Sequence, residues 1–170
     1  MKYLFSLVLL VSASSLFAQS SFDEMNGYGG VTWGMTTEQI MAARPNSVRL
    51  PKKEHLIGGW NVFVTEPNYK VFGQSQLLKY LMDASTNRLV GVIIEYLGER
   101  PSKKELFDST DSSLTSEFHS PHHHVDYNDE KFEQHIRSWT FAKTKIVLTF
   151  AELHGLYDFV TVFYSLPSIE

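Results

Sequence analysis

The chain has 170 residues, no cysteine and a formal net charge of −4 at pH 7. This mild acidity argues against nucleic acid and anionic membranes as partners, because both require a basic surface. The lack of cysteine excludes a disulfide framework, a thiolate nucleophile, a cysteine-based metal site and a lipid-bearing N-terminal cysteine.

The first residues have the pattern of a cleaved export signal. Lys2 gives a short positive start, Tyr3–Val11 is apolar, and Ser12–Ala18 is small and weakly polar. The apolar run is shorter than the roughly 20 residues that a membrane span needs. We therefore expect a signal peptide at 1–18, a single domain at 19–170, a periplasmic or secreted location, and no membrane span after cleavage.

The first predicted helix is marked by its caps. Thr36 and Gln39 form a capping box, in which each side chain binds the other residue's backbone N–H. Pro45 disfavours helix at the residue before it, so the helix should cover about Thr37–Ala43.

A second capping box, Ser102 and Glu105, predicts a helix over Lys103–Phe118. It carries a narrow apolar stripe, and Pro121 follows its end.

The stretch between these helices contains the predicted centre of the fold. Gln76–Asp83 and Arg88–Leu97 are apolar strand patterns joined by a turn at 84–87. In the second strand Ile94 points to one face and Ile93 to the other. A strand that is apolar on both faces is typical of the middle of a sheet, so we expect both faces to be covered.

Alternating residues predict several further strands. A turn is expected at Glu66–Asn68, whereas 46–59 is interpreted as loop and 119–136 as polar and irregular. The last three strands have the pattern of an antiparallel meander. The predicted fold class is α+β, with a single antiparallel β-sheet and two main α-helices packed on one face. The predicted strands lie near Val31–Trp33, at Trp60–Thr65, Tyr69–Phe72, Arg137–Phe141, Lys145–Phe150 and Tyr157–Tyr164.

The residues that could carry chemistry are clustered histidines. His119, His122 and His124 are candidate metal ligands, because imidazole suits zinc or copper. Successive residues of an extended segment face opposite ways, so His122 and His124 could converge whereas His123 could not join them. The alternatives are a solvated loop that binds metal adventitiously and a pH-responsive loop.

Catalytic signatures such as a Gly-x-Ser-x-Gly elbow, a His-Glu-x-x-His helix or a phosphate-binding glycine loop do not occur in the sequence. We therefore predict no catalytic residue and no cofactor. The leading hypothesis is an exported, non-enzymatic binding or interaction protein, whose partner is a protein or a small envelope ligand. The alternative hypothesis is a metal-binding protein or metal-dependent hydrolase that uses the His-rich loop.

One segment carries a resemblance to known proteins. Tyr28-Gly-Gly-Val-Thr-Trp-Gly-Met-Thr-Thr-Glu-Gln39 resembles the opening of exported bacterial domains that begin with a strand, a Trp-Gly-Met-Thr/Ser cap and a short helix. The order of elements is similar to small envelope proteins such as BamE-like assembly lipoproteins and β-lactamase-inhibitor-like domains. The resemblance implies an antiparallel sheet and a binding function. The chain departs from the BamE-like proteins in lacking their lipid-bearing cysteine.

Overall fold

The computed structural model describes residues 25–56, 60–71, 74–96, 103–154 and 156–168, so the predicted signal peptide lies outside the described residues. Within these ranges the chain forms two helices and ten strands. The helices are α1 (Thr37–Ala43) and α2 (Lys103–Phe118). The strands are β1 (Gly27–Tyr28), β2 (Val31–Thr32), β3 (Val48–Leu56), β4 (Trp60–Val71), β5 (Gln74–Asp83), β6 (Leu89–Glu95), β7 (His123–Asn128), β8 (Phe132–Thr140), β9 (Lys145–Leu153) and β10 (Tyr157–Ser165).

The strands belong to two sheets. β1 pairs with β2, and the other eight form one antiparallel sheet in the order β3-β4-β5-β6-β10-β9-β8-β7. The predicted α+β class with a single antiparallel sheet and two main helices is therefore wrong: the described chain is mostly β and has a second sheet. The missed strands β3 and β7 lie at the two edges, where exposed polar sequences carry little apolar alternation.

The turn predicted at Glu66–Asn68 is also wrong. β4 continues through this stretch, and its register against β5 shifts between Glu66 and Tyr69. β4 has one residue more than β5 between these two pairs, and Asn68 there adopts a left-handed conformation with φ of 60°. Pro and Asn therefore mark an irregularity within a strand here, rather than its end.

The eight-stranded sheet consists of two similar halves. α1 precedes β3–β6, and α2 precedes β7–β10. The last strand of each half meets the other at the middle of the sheet, where Ile94 of β6 lies opposite Val162 of β10. β3 and β7 consequently occupy equivalent positions at the two edges.

Both helices have the predicted bounds. In the capping box before α1, the Gln39 N–H donates to Thr36 Oγ1 at 3.3 Å, and the Thr36 N–H donates to Gln39 Oε1 at 2.9 Å. The helix ends before Arg44, as the following proline predicts. The second predicted capping box includes Ser102, which lies outside the described residues.

The predicted central hairpin is confirmed. β5 and β6 pair antiparallel, and Asn87 in their turn has φ of 52°. Asp83 Oδ1 accepts hydrogen bonds from the backbone N–H groups of Ser85 and Thr86, at 3.0 and 2.8 Å. Hydrogen bonds from the Ser85 side chain and the Thr86 backbone lower the pKa of Asp83 to about 2.

One face of the sheet and both helices enclose the core. Val92 and Ile94 of β6 are fully buried there, in one apolar cluster with Ile40 of α1 and Phe107 of α2. β6 is central, as predicted, but the two described helices pack on this face alone. Ile93 points to the opposite face, is half-buried and stands outside the core cluster.

A buried ion pair fixes the C-terminal end of α1 to the sheet. Arg44 binds Glu66 through two hydrogen bonds, Nε to Oε2 at 2.9 Å and Nη2 to Oε1 at 2.8 Å. The Tyr80 hydroxyl donates to the same carboxylate at 3.0 Å, and Arg44 Nη1 donates to the carbonyl of Gly29 at 2.8 Å. Glu66 is only 3% exposed, so these donors replace the water that its carboxylate loses on folding.

Candidate functional site

The face of the eight-stranded sheet opposite the core is the candidate site, and we call it the open face. Lys79, Ile93, Phe163 and Val147 lie side by side across β5, β6, β10 and β9 and so share this face. All four are half-buried. The buried apolar residues of both described helices belong to the core cluster on the other side, so neither helix covers the open face.

The open face has an apolar floor of its own. Val62 and Leu81 are paired across β4 and β5 and are fully buried, yet they stand outside the core cluster. Beside them the rings of Trp60 and Phe163 lie 5.7 Å apart. Phe163 packs so closely over Gly91 that a Cβ there would be 2.5 Å from its ring. Glycine at this position therefore lets an aromatic side chain lie flat on the sheet.

A charged group lies next to Ile93, which forms an apolar strip on the open face together with Phe163 and Trp60. Lys79 Nζ is 3.1 Å from Glu54 Oε1 and 2.9 Å from Glu95 Oε1, and its side chain is 14% exposed. Burial disfavours the charged amine, but hydrogen bonds to Glu95 and Glu54 outweigh this effect and raise the pKa of Lys79. One cation thus lies between two carboxylates, which leaves this part of the open face with a net negative charge.

The predicted metal-ligating histidines lie at the other end of the sheet. His119 follows α2 with φ of 65°, and its carbonyl accepts from Trp139 Nε1 at 2.9 Å. His122 precedes β7, and its Nδ1 accepts from the Thr140 N–H at 2.9 Å. His124 is the second residue of β7 and is exposed. The rigid strand on which it lies was not expected from the sequence.

Within the described chain, no three His, Asp or Glu side chains are grouped so that they could hold a metal ion. His119, His122 and His124 are therefore not brought together as a ligand set. The metal site stays a prediction that titration can test.

Another histidine of the His-rich segment, which was not among the three candidate ligands, lies in a network of charged side chains. His135 Nδ1 is 2.6 Å from Asp126 Oδ1, and its Nε2 is 2.6 Å from Glu133 Oε1. Arg137 binds Asp126 Oδ1 at 2.7 Å and Asp111 of α2 at 3.2 Å. Hydrogen bonds from His135 and Arg137 lower the pKa of Asp126 to about 2. The network joins β7, β8 and α2.

This network could have been recognised from a period-two pattern. Glu133, His135 and Arg137 alternate along β8 and face the helix side of the sheet, where the His135 ring stacks on Phe150 at 5.9 Å. The sequence pattern predicts no regular structure for 119–136, whereas β8 begins at Phe132 and places these three residues on one face of a strand.

A cavity of about 520 Å³ lies beside the β1–β2 hairpin. Tyr28 stacks on Tyr164 at its wall with ring centroids 4.1 Å apart, and Glu117 and Phe118 line it from α2. Burial and the neighbouring tyrosines Tyr164 and Tyr69 raise the pKa of Tyr28, so its hydroxyl stays protonated at neutral pH. The cavity has the size of a small-molecule site.

Neither described helix is both long enough and apolar enough to cross a membrane. Comparison with known protein families, with curated proteins and with solved structures gives no match for this chain.

Proposed function

We propose that this is an exported, non-enzymatic binding protein whose open face contacts another protein. The observation that carries the proposal is the apolar strip on a sheet face that neither described helix covers. Partly exposed apolar side chains on a sheet are typical of interaction surfaces, and aromatic residues such as the half-buried Trp60 and Phe163 are common anchors in them. The sequence pattern of the first 18 residues supports export.

The charges beside the strip indicate the chemistry of the partner. Glu54 and Glu95 outnumber Lys79 in their cluster, so a basic side chain on the partner would be attracted to its rim. The half-buried side chains of Ile93 and Phe163 suit contact with an apolar side chain of the partner. The expected partner is therefore a protein with an apolar protrusion next to a Lys or Arg.

The charged groups on the helix side support binding rather than catalysis in this half of the sheet. Both ring nitrogens of His135 and both charged partners of Arg137 are committed to contacts within the protein. They join β7, β8 and α2 at this end of the sheet.

Site-specific photo-crosslinking in producing cells tests the proposal. A photoreactive phenylalanine analogue replaces Ile93 on the open face, and a matched variant carries it at Ser112, which is exposed on α2. We expect one cross-linked protein from position 93 and no cross-link to that protein from position 112. The cross-link from position 93 should be lost when Phe163→Ser is introduced into the same variant. The same adducts from both positions, or none from position 93, would contradict the proposal.

A further inference from the structure

No described strand pairs with the outer edge of β7. β7 lies at one end of the sheet and, within the described chain, has β8 as its one neighbour. Its register against β8 is unbroken along its whole length. The backbone N–H of Asp129 donates to the carbonyl oxygen of Phe132 across the β7–β8 turn at 2.9 Å. This bond shows which residues of β7 direct their backbone groups towards β8. Along an antiparallel strand alternate residues face the neighbour, so His124 and Asp126 direct their backbone groups outward.

The equivalent edge of the other half is protected, whereas β7 is not. β3 has a register shift between Arg49 and Glu54, and it contains Pro51 and Lys52. Bulges, prolines and lysines are the devices by which natural sheets prevent edge-to-edge pairing. The β7 sequence His-His-Val-Asp-Tyr-Asn contains none of them. The β7 edge therefore lacks the features that would hinder pairing along the equivalent β3 edge.

The side chains of β7 are complementary to those of a second β7 strand. When two copies run antiparallel with Val125 opposite Val125, His124 of each copy lies opposite Asp126 of the other, on one face. On the other face His123 lies opposite Tyr127. A hydrogen bond from an imidazole N–H to a carboxylate and a pair of rings, each at directly facing positions, both stabilise antiparallel strands. His124 and Asp126 are both exposed in the single chain, so they are accessible to a second copy.

We propose that the protein forms a symmetric dimer in which β7 pairs antiparallel with β7 of a second copy, centred on Val125. The two sheets then join into one, and each His124–Asp126 pair exchanges backbone hydrogen bonds across the two-fold axis. The open face is left uncovered, because the new contact lies along the sheet edge. The dimer is therefore independent of the proposed binding function.

A cysteine cross-link tests the register. The chain has no cysteine, so Val125→Cys introduces a single thiol. In the proposed dimer the two positions form a non-hydrogen-bonded pair with Cα atoms about 4.5 Å apart, within the range of a disulfide. Mild oxidation of the purified protein should give a covalent dimer with Val125→Cys and little with Tyr127→Cys, whose copies lie four residues apart in register. No covalent dimer, or equal yields from both variants, would overturn the proposal.

Dimer dissociation constants from analytical ultracentrifugation test the pairing of His124 with Asp126. His124→Glu places like charges opposite each other and should weaken the dimer on the order of tenfold. His123→Glu makes the same charge change on the other face and should weaken it much less. His124→Pro removes an outward N–H and should abolish the dimer while leaving the melting temperature of the dilute protein unchanged. A monomeric wild type, or equal effects of the two glutamate variants, would overturn the proposal.

Discussion

Two adjacent isoleucines of β6 distinguish the covered face of the sheet from the open face. Ile94 is 1% exposed and belongs to the core cluster, so Ile94→Ala leaves a cavity between the sheet and the helices. Such substitutions cost about 2–5 kcal/mol of the free energy of unfolding. In a domain of this size 1 kcal/mol corresponds to about 2–4 °C, so the melting temperature should fall by roughly 10 °C.

The same change at Ile93 should have a much smaller effect. Ile93 is half-buried between Lys79 and Phe163 on the open face. Ile93→Ala therefore removes a side chain that is already partly exposed to solvent. We expect a cost of about 1 kcal/mol, which is roughly 3 °C. Aspartate should widen the difference, because at Ile94 it buries an unpaired charge, whereas at Ile93 it lies beside an ammonium group.

Urea unfolding followed by circular dichroism gives both free energies, and thermal scans give the melting temperatures. Equal destabilisation by Ile93→Ala and Ile94→Ala would refute the reasoning, because both faces of β6 would then be covered to the same extent.

Three further predictions concern other parts of the protein. Arg44→Ala should lower the free energy of unfolding in urea by about 3–5 kcal/mol, because it leaves Glu66 buried without its cation. Adding Glu66→Leu should recover much of this loss. No recovery would show that the unpaired carboxylate is not the cause. The pKa of Asp83 is lowered from 3.8 to about 2, so its stabilising contribution is complete above pH 4 and is lost as the pH falls towards 2. In thermal scans, the melting temperature of Asp83→Asn should therefore decline less steeply over that range than the melting temperature of the wild type. Zinc titration by calorimetry should give weak binding that is the same in the wild type and in a His122→Ala, His124→Ala variant, and tight binding lost in that variant would instead establish the histidine site.

The sequence predicted the helices well because their signals are local. Thr36, Gln39 and Pro45 specify where α1 begins and ends without reference to any other part of the chain. The central hairpin was also predictable, since β5 and β6 are strongly apolar and the turn between them contains Asn87 in a left-handed conformation.

The edge strands could not be predicted in the same way. β7 is exposed at five of its six positions, and its side chains therefore show no apolar alternation. β3 contains a proline and two lysines, which are typical of loops but are also tolerated at a sheet edge. Both strands exist because a neighbouring strand supplies hydrogen bonds, and that information is not local.

The open face was misjudged for a related reason. Ile93 and Phe163 are apolar, and a sequence does not state whether an apolar face is covered by the same chain or left available to another protein. The charged network around His135 was missed because its residues alternate along β8, a strand that began five residues earlier than the sequence pattern indicated. In both cases the required information is the position of a strand within the sheet.

The most direct test of the open face as a binding surface is thiol labelling of the otherwise cysteine-free protein. Thr161→Cys places a thiol on the open face opposite Glu95, and Ser116→Cys places one on the exposed surface of α2. With the purified protein we predict that a small maleimide labels both positions readily. In producing cells labelling at 161 should fall relative to labelling at 116, because the partner covers the open face. An unchanged ratio, or an unreactive Cys at 161 in the purified protein, would contradict the account.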